Sequence, residues 1–332
     1  VVHAAAASGK TALIVERVRI MLARGCKPQN MVVITFTTAA ADEMKKRIGY
    51  IDGLFIGTIH AYAFYLLCAS GLNEKALAYV NEDKFDKLFT LVKKYPNCIK
   101  PVDYLIVDEA QDCSDNEWEF FELLNPNGFF YCGDTRQCIY EWRDASPSDF
   151  MEIASRADVT EYTLDENYRN GYRILNFAKD IITHTKSHMY DDSIPMRHAS
   201  GNVEWVEFNL GNIAKLIKNS NEPYGSWFVL ARTNDQIESI QYILDSYRVP
   251  NITFKRGGKS FDELDTLTKE DKVKVLTIHT AKGLEADNVV VIGTRLWGDE
   301  EIRLAYVAAT RARENLYWVY NKKKKNNIES WE

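Results

Sequence analysis

The sequence predicts an α/β protein made of two doubly wound, parallel-sheet halves. Three observations predict it. Continuous apolar runs such as Met31 to Phe36 and Tyr104 to Val107 recur along the chain, as expected of strands covered on both faces. Segments of helical periodicity alternate with those runs, the pattern of a doubly wound sheet. The turn Ser8-Gly9-Lys10-Thr11 leads from one strand into an amphipathic helix, and another strand ends in the adjacent carboxylates Asp108 and Glu109.

Taken in order, Val1 to Ala4 reads as the end of a strand. A helix follows from Ser8 to Thr11 onward, with apolar Leu13, Ile14, Val18, Met21 and Leu22. Met31 to Phe36 is the next strand, and a helix runs from about Thr38 to Arg47. Strands recur near Leu54–Gly57, Tyr104–Val107 and Phe129–Cys132. The stretch 70–101 is Lys-rich, with Phe85, Leu88 and Leu91 at helical spacing, and reads as a small helical insertion. A second α/β pattern starts near Thr160. Its strands are Val203–Phe208, Ser226–Ala231, Val273–Thr277, Asn288–Gly293 and Leu316–Tyr320. The helix Asp235–Tyr247 lines up Ile237, Ile240 and Leu244, whereas His184–Gly201 has no periodicity and reads as a loop. The predicted domains are 1–160 and 161–332.

At 332 residues, 46% of them hydrophobic and 27% charged, the chain has room for two cores. No window approaches the apolar length of a transmembrane helix, and no signal peptide is visible, so a cytoplasmic protein without a membrane partner is expected, or a nuclear or virus-associated one if the source is eukaryotic or viral. Six cysteines without a CxxC pair fit reduced thiols and disfavour a metal site on Cys132, Cys138 and His60. The net charge of −6 argues against a general nucleic-acid coat but leaves room for a local basic groove. Basic clusters stand at Lys45-Lys46-Arg47, Lys255 to Lys259 and Lys322 to Lys325, the last reading as a solvated tail.

Ala4-Ala5-Ala6-Ala7-Ser8-Gly9-Lys10-Thr11 fits a phosphate-binding loop with Ala in place of the first Gly. Backbone N–H groups of such a loop surround phosphates at a helix N-terminus, where the dipole also favours anions. Lys10 then reaches the outer phosphates, and Thr11 ligates Mg2+. Gly-Lys-Thr alone is a weak signal that an Ala-rich helix start also satisfies; the strand before it and the helix after it strengthen the reading. Asp108 is placed to hold Mg2+ through water, and Glu109 to orient or deprotonate the attacking water. Ala7 stands where many such loops use Gly for a backbone turn with positive φ, so strain or weaker phosphate binding is expected there.

The further motifs resemble superfamily 1 helicases of the UvrD/Rep/PcrA type, in the family's order. Ile34-Thr35-Phe36-Thr37-Thr38-Ala39-Ala40-Ala41-Asp42-Glu43-Met44 is similar to TFTNKAAxEM, and Gly57-Thr58-Ile59-His60-Ala61-Tyr62 to GTFHS. Asp108-Glu109-Ala110-Gln111-Asp112 matches motif II. Gly133 to Arg143 resembles GDxxQSIYxFRG, and Leu164 to Arg169 resembles LxxNYRS. Leu276 to Glu285 resembles TxHxAKGLE, and Glu300 to Ala312 resembles EExRLxYVAxTRA.

The resemblance implies two RecA-like ATP-binding domains with ATP between them. It implies that Arg169 and Arg311 stabilise the charge of phosphoryl transfer, an effect worth roughly 10³–10⁵ in rate in other NTPases. Gln137 is implied to sense the γ-phosphate, Tyr168 to stack on adenine and Glu285 to accept a ribose hydroxyl. For the nucleic-acid track, Phe36, Tyr62, Tyr140 and Trp142 are the stacking candidates, with core packing as the alternative for each. Thr35, Thr58, His60, Arg232, Thr277 and His279 are the polar candidates, the two histidines having structural alternatives.

The chain also departs from the family. The first helical insertion is reduced to about thirty residues, and only about forty separate Arg232-Thr233-Asn234 from the Leu276 motif. No adenine-reading Gln segment precedes the phosphate loop in this sequence, and Glu117 stands where the family often has Gln. The expectation is a compact, ATP- and Mg2+-using motor on single-stranded or tailed duplex DNA, moving 3′→5′, with replication or repair proteins as partners. A nucleotide-binding module without motor activity and an RNA helicase are the competing readings.

Overall fold

A computed structural model describes residues 1–253, 270–294 and 296–320. The chain divides into two compact units. The first comprises Val1–Ala4 and Ser8–Leu164, and the second Ala5–Ala7 with the chain from Asp165 onward.

The first unit is an all-parallel sheet of six strands: β1 (Val2–Ala4), β2 (Met31–Thr35), β3 (Phe55–Thr58), β4 (Tyr104–Asp108), β5 (Gly128–Gly133) and β6 (Tyr162–Leu164), in the order β3-β2-β4-β5-β1-β6. Every residue of β2 and β4 is buried, because helices cover both faces. The pleat sends alternate residues to opposite cores. Met31, Val33, Tyr104 and Ile106 pack with Ile14, Val15 and Val18 of helix α1 (Lys10–Ala23) and with Met44 of α2 (Thr38–Ile48). Val32, Ile34, Leu105 and Val107 pack on the other face with Leu66, Phe120 and Phe121, from α3 (Ile59–Ala69) and α6 (Asp115–Leu124). The insertion is helical, with α4 (Asn73–Asn81), α5 (Lys87–Lys94) and a 3₁₀ turn at Pro96–Cys98. Helix α7 (Pro147–Ala154) completes the unit.

Glu117 has a local reason for its identity. Its carboxylate accepts from Ser114 N at 2.9 Å in the capping box that starts α6, and it is 4% exposed. Lys45, Lys46 and Arg47 occupy the last turn of α2, where they complement the helix dipole; Lys45 and Arg47 also pair with Asp42 and Glu43. This cluster is therefore explained by its own helix. The clusters at Lys255–Lys259 and Lys322–Lys325 lie outside the described residues.

The second unit contains the short pair β7 (Glu166–Asn167) and β8 (Ile194–Pro195), then an all-parallel sheet of β9 (Asn202–Glu207), β10 (Trp227–Ala231), β11 (Asn251–Thr253), β12 (Val273–Thr277), β13 (Ala286–Ile292) and β14 (Ala312–Tyr320). The strand order of that sheet is β11-β12-β10-β13-β14-β9. Its helices are α8 (Tyr172–Thr183), α9 (Leu210–Lys218), α10 (Asn234–Ser246), α11 (Ile278–Ala281) and α12 (Asp299–Ala309). Helix α12 is buried from Ile302 to Ala309 and packs on α8. One core joins Ile213 and Ile217 to Val229, Ile237, Ile240, Val275 and Val290.

The structure differs from the sequence-based expectation at its edges. Tyr162–Leu164 pairs with Val2–Ala4 and ends the first sheet rather than opening the second. It is a mostly exposed edge strand, so no apolar run announced where it belongs. Strand β11 carried no signal either, being three half-buried residues at a sheet edge.

Candidate nucleotide and nucleic-acid sites

In the first unit the candidate residues gather at the carboxyl ends of the strands, where doubly wound sheets bind ligands. The phosphate loop leaves β1, Asp108 ends β4, Asp134 follows β5, and Thr35 and Thr58 end β2 and β3. Helix α1 begins at Lys10 behind Gly9, whose φ of 87° is left-handed, and has no acid in its first turn, so its N-terminus suits an anion. Thr11 is half-buried in that turn. Ser8 Oγ is buried with no hydrogen-bond partner among the described residues, as befits a group that awaits a ligand. Ala7 takes the left-handed turn at φ 58°, a conformation that costs a residue with a Cβ about 1–2 kcal/mol.

Lys10 Nζ lies 3.2 Å from Glu109 Oε1. Burial alone would lower the lysine's pKa, but the carboxylates of Glu109, Asp134 and Asp108 outweigh it and hold the ammonium above its ordinary value. Glu109 itself is left-handed, at φ 53° and ψ 41°, so backbone strain sits at the proposed base. Its second oxygen accepts from Gln111 Nε2 at 2.7 Å, while Gln111 Oε1 accepts from Asp134 N at 2.8 Å. Asp134 in turn accepts from Gln137 Nε2 at 2.8 Å and pairs with Arg136 at 2.7 Å. Lys10, Asp108, Glu109 and Gln137 thus share one polar network. Asp134 is a member that motif reading did not assign; its backbone N–H meets the Gln111 side chain 23 positions away in sequence, and no local spacing signals that.

The aromatic candidates separate. Trp142 is 62% exposed. Phe36 is half-buried, its ring 4.8 Å from that of Tyr140 and beneath the Arg143 guanidinium at 5.3 Å. Tyr62 and Tyr140 are 3% and 2% exposed, which corrects their reading as base-stacking residues. Tyr62 packs among Phe55, Tyr65 and Phe120, and Tyr140 supports Phe36. Thr35 is buried and donates to Thr37 O, and Thr58 caps α3 through Ala61 N, so these hydroxyls have structural work. His60 stands 3.5 Å from Asp86 and against Phe89. Even so, Thr35, Phe36, Thr58, His60, Asp108 and Arg143 line one cavity of about 110 Å³, which puts the nucleic-acid candidates beside the proposed magnesium carboxylate. Arg143 is an addition from the structure; it closes the motif that begins at Gly133.

In the second unit the candidates divide between opposite edges of the sheet. Arg232, Thr277 and His279 lie at the carboxyl edge, after β10 and β12. Arg232 is bound by Glu301, with Nε to Oε1 at 2.9 Å, and Thr277 caps α11 through Thr280 N at 3.1 Å. His279 is half-buried in α11. Glu285 and Arg311 precede β13 and β14 at the amino edge. Arg169 Nε is bonded to Glu285 Oε2, and Arg313 reaches the other oxygen at 3.4 Å. Burial would raise the pKa of Glu285, but Arg169, Arg313 and Arg311 outweigh it and hold the carboxyl below its ordinary range. Arg311 is 1% exposed and donates to Val307 O and Thr310 Oγ1, both at 2.9 Å. Tyr168 keeps a 54% exposed ring, tethered through its hydroxyl to Glu166.

Comparison with known proteins finds matches for both halves of the chain. Residues 1–96 and 85–158 match the UvrD/REP helicase N-terminal domain, and residues 259–323 match the UvrD-like helicase C-terminal domain. The chain is 24% identical to a probable DNA helicase of Mycoplasma pneumoniae over 445 aligned positions, covering 96% of this chain and 80% of that protein. Because 445 exceeds the 332 residues here, that relative carries inserted segments within the shared span. The chain is 23% identical to the Gabija protein GajB of Bacillus cereus, covering 97% of this chain and 93% of that protein. It is 25% identical to the ATP-dependent DNA helicase Rep of Buchnera aphidicola over 66% of this chain, and spans less than half of that protein, 46%. Among the described residues no helix is long and apolar enough to cross a membrane. With the motif residues set at the strand ends of two parallel sheets and both halves matched in order, the chain belongs to the UvrD/Rep family of superfamily 1, a family of ATP-hydrolysing DNA helicases.

Proposed function

We propose that the chain couples ATP hydrolysis to movement along single-stranded DNA, 3′→5′, and separates duplexes that carry a single-stranded tail. The observation that carries this reading is the Gln111 amide. It bonds the proposed base Glu109 on one side and the backbone at Asp134 on the other, and Asp134 begins the segment that ends in the exposed Trp142.

In the proposed reaction, Lys10 Nζ, Ser8 Oγ and the N–H groups opening α1 bind the phosphates. Thr11 and Asp108 would supply hard oxygen donors that fit Mg2+, which would neutralise phosphate charge there. Lys10 Nζ pairs with Glu109 Oε1. Phosphates that draw Lys10 away leave this oxygen for the attacking water, while Gln111 keeps the other oxygen fixed. Gln137 senses the γ-phosphate, and Arg169 and Arg311 stabilise its developing charge. Tyr168 stacks on adenine, and Glu285 takes the ribose hydroxyl once Arg169 turns to phosphate. Phe36 and Trp142 hold bases, and the residues around the 110 Å³ cavity guide the strand.

The test is ATP-driven strand separation on duplexes bearing a 3′ or a 5′ single-stranded tail, beside translocation on single strands. The proposal expects activity on the 3′-tailed duplex. ATP and DNA binding with no stimulated turnover would favour a module without motor activity, a reading that the left-handed Ala7 in the phosphate loop supports. Stronger stimulation by RNA than by DNA of equal length would assign an RNA substrate.

A further inference from the structure

Asn167 and Asn170 are both fully buried, and all of their side-chain hydrogen-bonding groups are engaged. Asn167 Oδ1 accepts from Arg169 N at 3.1 Å and Asn170 N at 2.9 Å. Its Nδ2 donates to Ala6 O at 3.0 Å and to Asn170 Oδ1 at 2.9 Å. Asn170 Nδ2 donates to Thr310 O at 3.1 Å and Ala312 O at 2.6 Å, the carbonyls on either side of Arg311. The bond from Asn167 fixes which way the Asn170 amide faces, because a flipped amide would set oxygen against both carbonyls. Thr310 O also receives Arg169 Nη1 at 3.3 Å, so one carbonyl is shared by an arginine and by the amide that holds the other arginine's backbone.

We infer that the Asn167–Asn170 amide pair is a positioning device that holds the Arg169 and Arg311 segments in one register for phosphoryl transfer. The inference rests on the proposed ATPase reading. Asn170 stands where the LxxNYRS pattern has Ser, and a hydroxyl, with a single donor, can serve only one of the two carbonyls. The amide makes a firmer clamp because it spans Arg311 on both sides. A fully satisfied buried network has a single low-energy arrangement, and losing one member leaves its partners unpaired. Neither asparagine touches the reacting atoms; both act through the arginines.

The experiment compares the parent chain with Asn170→Ala and Asn170→Ser, measuring kcat and KM for ATP with saturating single-stranded DNA, DNA affinity and Tm. Small misplacements of catalytic groups cost about 10²-fold in rate. The expected result is a kcat about 10²-fold lower in Asn170→Ala, with KM and DNA affinity within about threefold of the parent, and partial recovery in Asn170→Ser. Should the alanine variant fail to fold, the serine variant decides, with an intermediate kcat at unchanged KM in support. Full kcat in a folded variant, or losses in kcat, KM and DNA affinity that simply track Tm, would overturn the inference while leaving the ATPase reading intact. A parent chain that does not hydrolyse ATP would overturn both.

Discussion

Gln111 Nε2 donates to Glu109 Oε2 at 2.7 Å, two residues away in sequence, while the same amide accepts from the backbone of Asp134. The side chain is completely buried. It holds the proposed base from one side and the start of the Gly133–Arg143 segment from the other, so a displacement of either is felt by the other. Replacing Gln111 with Ala is expected to lower DNA-stimulated kcat by about tenfold or more, through loss of a charge-assisted bond worth about 1.5–3 kcal/mol. Steady-state ATPase with and without DNA checks it: the stimulated rate should fall more than the basal one.

Glu109→Gln removes the base but keeps its shape and its bond from Gln111. A positioned base contributes about 10²–10⁴ in rate, so kcat should fall by that factor. Nucleotide binding should persist, because Lys10 then keeps no carboxylate partner at that oxygen. Equilibrium binding of a fluorescent ATP analogue, beside turnover, separates the two effects.

Trp142 is the exposed ring of the proposed track, and Tyr62 is a core residue. Trp142→Ala should weaken single-strand binding by about 1–3 kcal/mol. Tyr62→Ala should instead destabilise the fold by about 3–5 kcal/mol, the cost of deleting a buried aromatic. DNA titrations and denaturant melts of both variants should give opposite patterns.

These two rings also mark how far the sequence could be read. Both lie in motifs, and both are aromatic; nothing in composition separates the one that packs against Phe120 from the one that faces solvent. The inner strands were legible for a physical reason: β2 and β4 are covered on both faces and must be apolar throughout. Edge strands carry no such demand, which is why Tyr162–Leu164 and Asn251–Thr253 give no strand signal in the sequence. Lys10 opens a helix and Asp108 ends a strand with Glu109 next to it, places at which the proposed phosphate and metal chemistry would need those groups. The amides of Gln111, Asn167 and Asn170 also reach Asp134, Ala6, Thr310 and Ala312 across tertiary contacts, and those partners leave no mark on local spacing.

Ala7 at φ 58° carries a cost that glycine lacks. Ala7→Gly should relieve it, although glycine gives back about 0.4–1 kcal/mol through the unfolded chain. Stability should therefore rise by no more than about 1.6 kcal/mol, whereas ATP affinity should improve as the loop closes on phosphate without strain. Thermal melts and ATP titrations on the same samples test both parts.

Glu285 sets an acid-sensitive contact. Its folded carboxyl lies below the ordinary value of 4.5 because Arg169, Arg313 and Arg311 outweigh burial. A carboxylate lowered by folding stabilises fully above its unfolded pKa, and that contribution vanishes as pH falls through the folded value. Glu285→Gln should lower Tm near neutral pH, and the gap to the parent should close as pH drops below about 4.5. Melts across a pH series give the answer directly.

In the proposed function, single-stranded DNA controls hydrolysis through the first unit's shared network. The most direct measurement is steady-state ATP hydrolysis with increasing concentrations of an unstructured single-stranded DNA, in the parent chain and in Lys10→Ala. A saturable rise is expected in the parent and no turnover in the variant. A parent rate that stays flat across the titration, or a Lys10→Ala variant that keeps the stimulated rate, would contradict it.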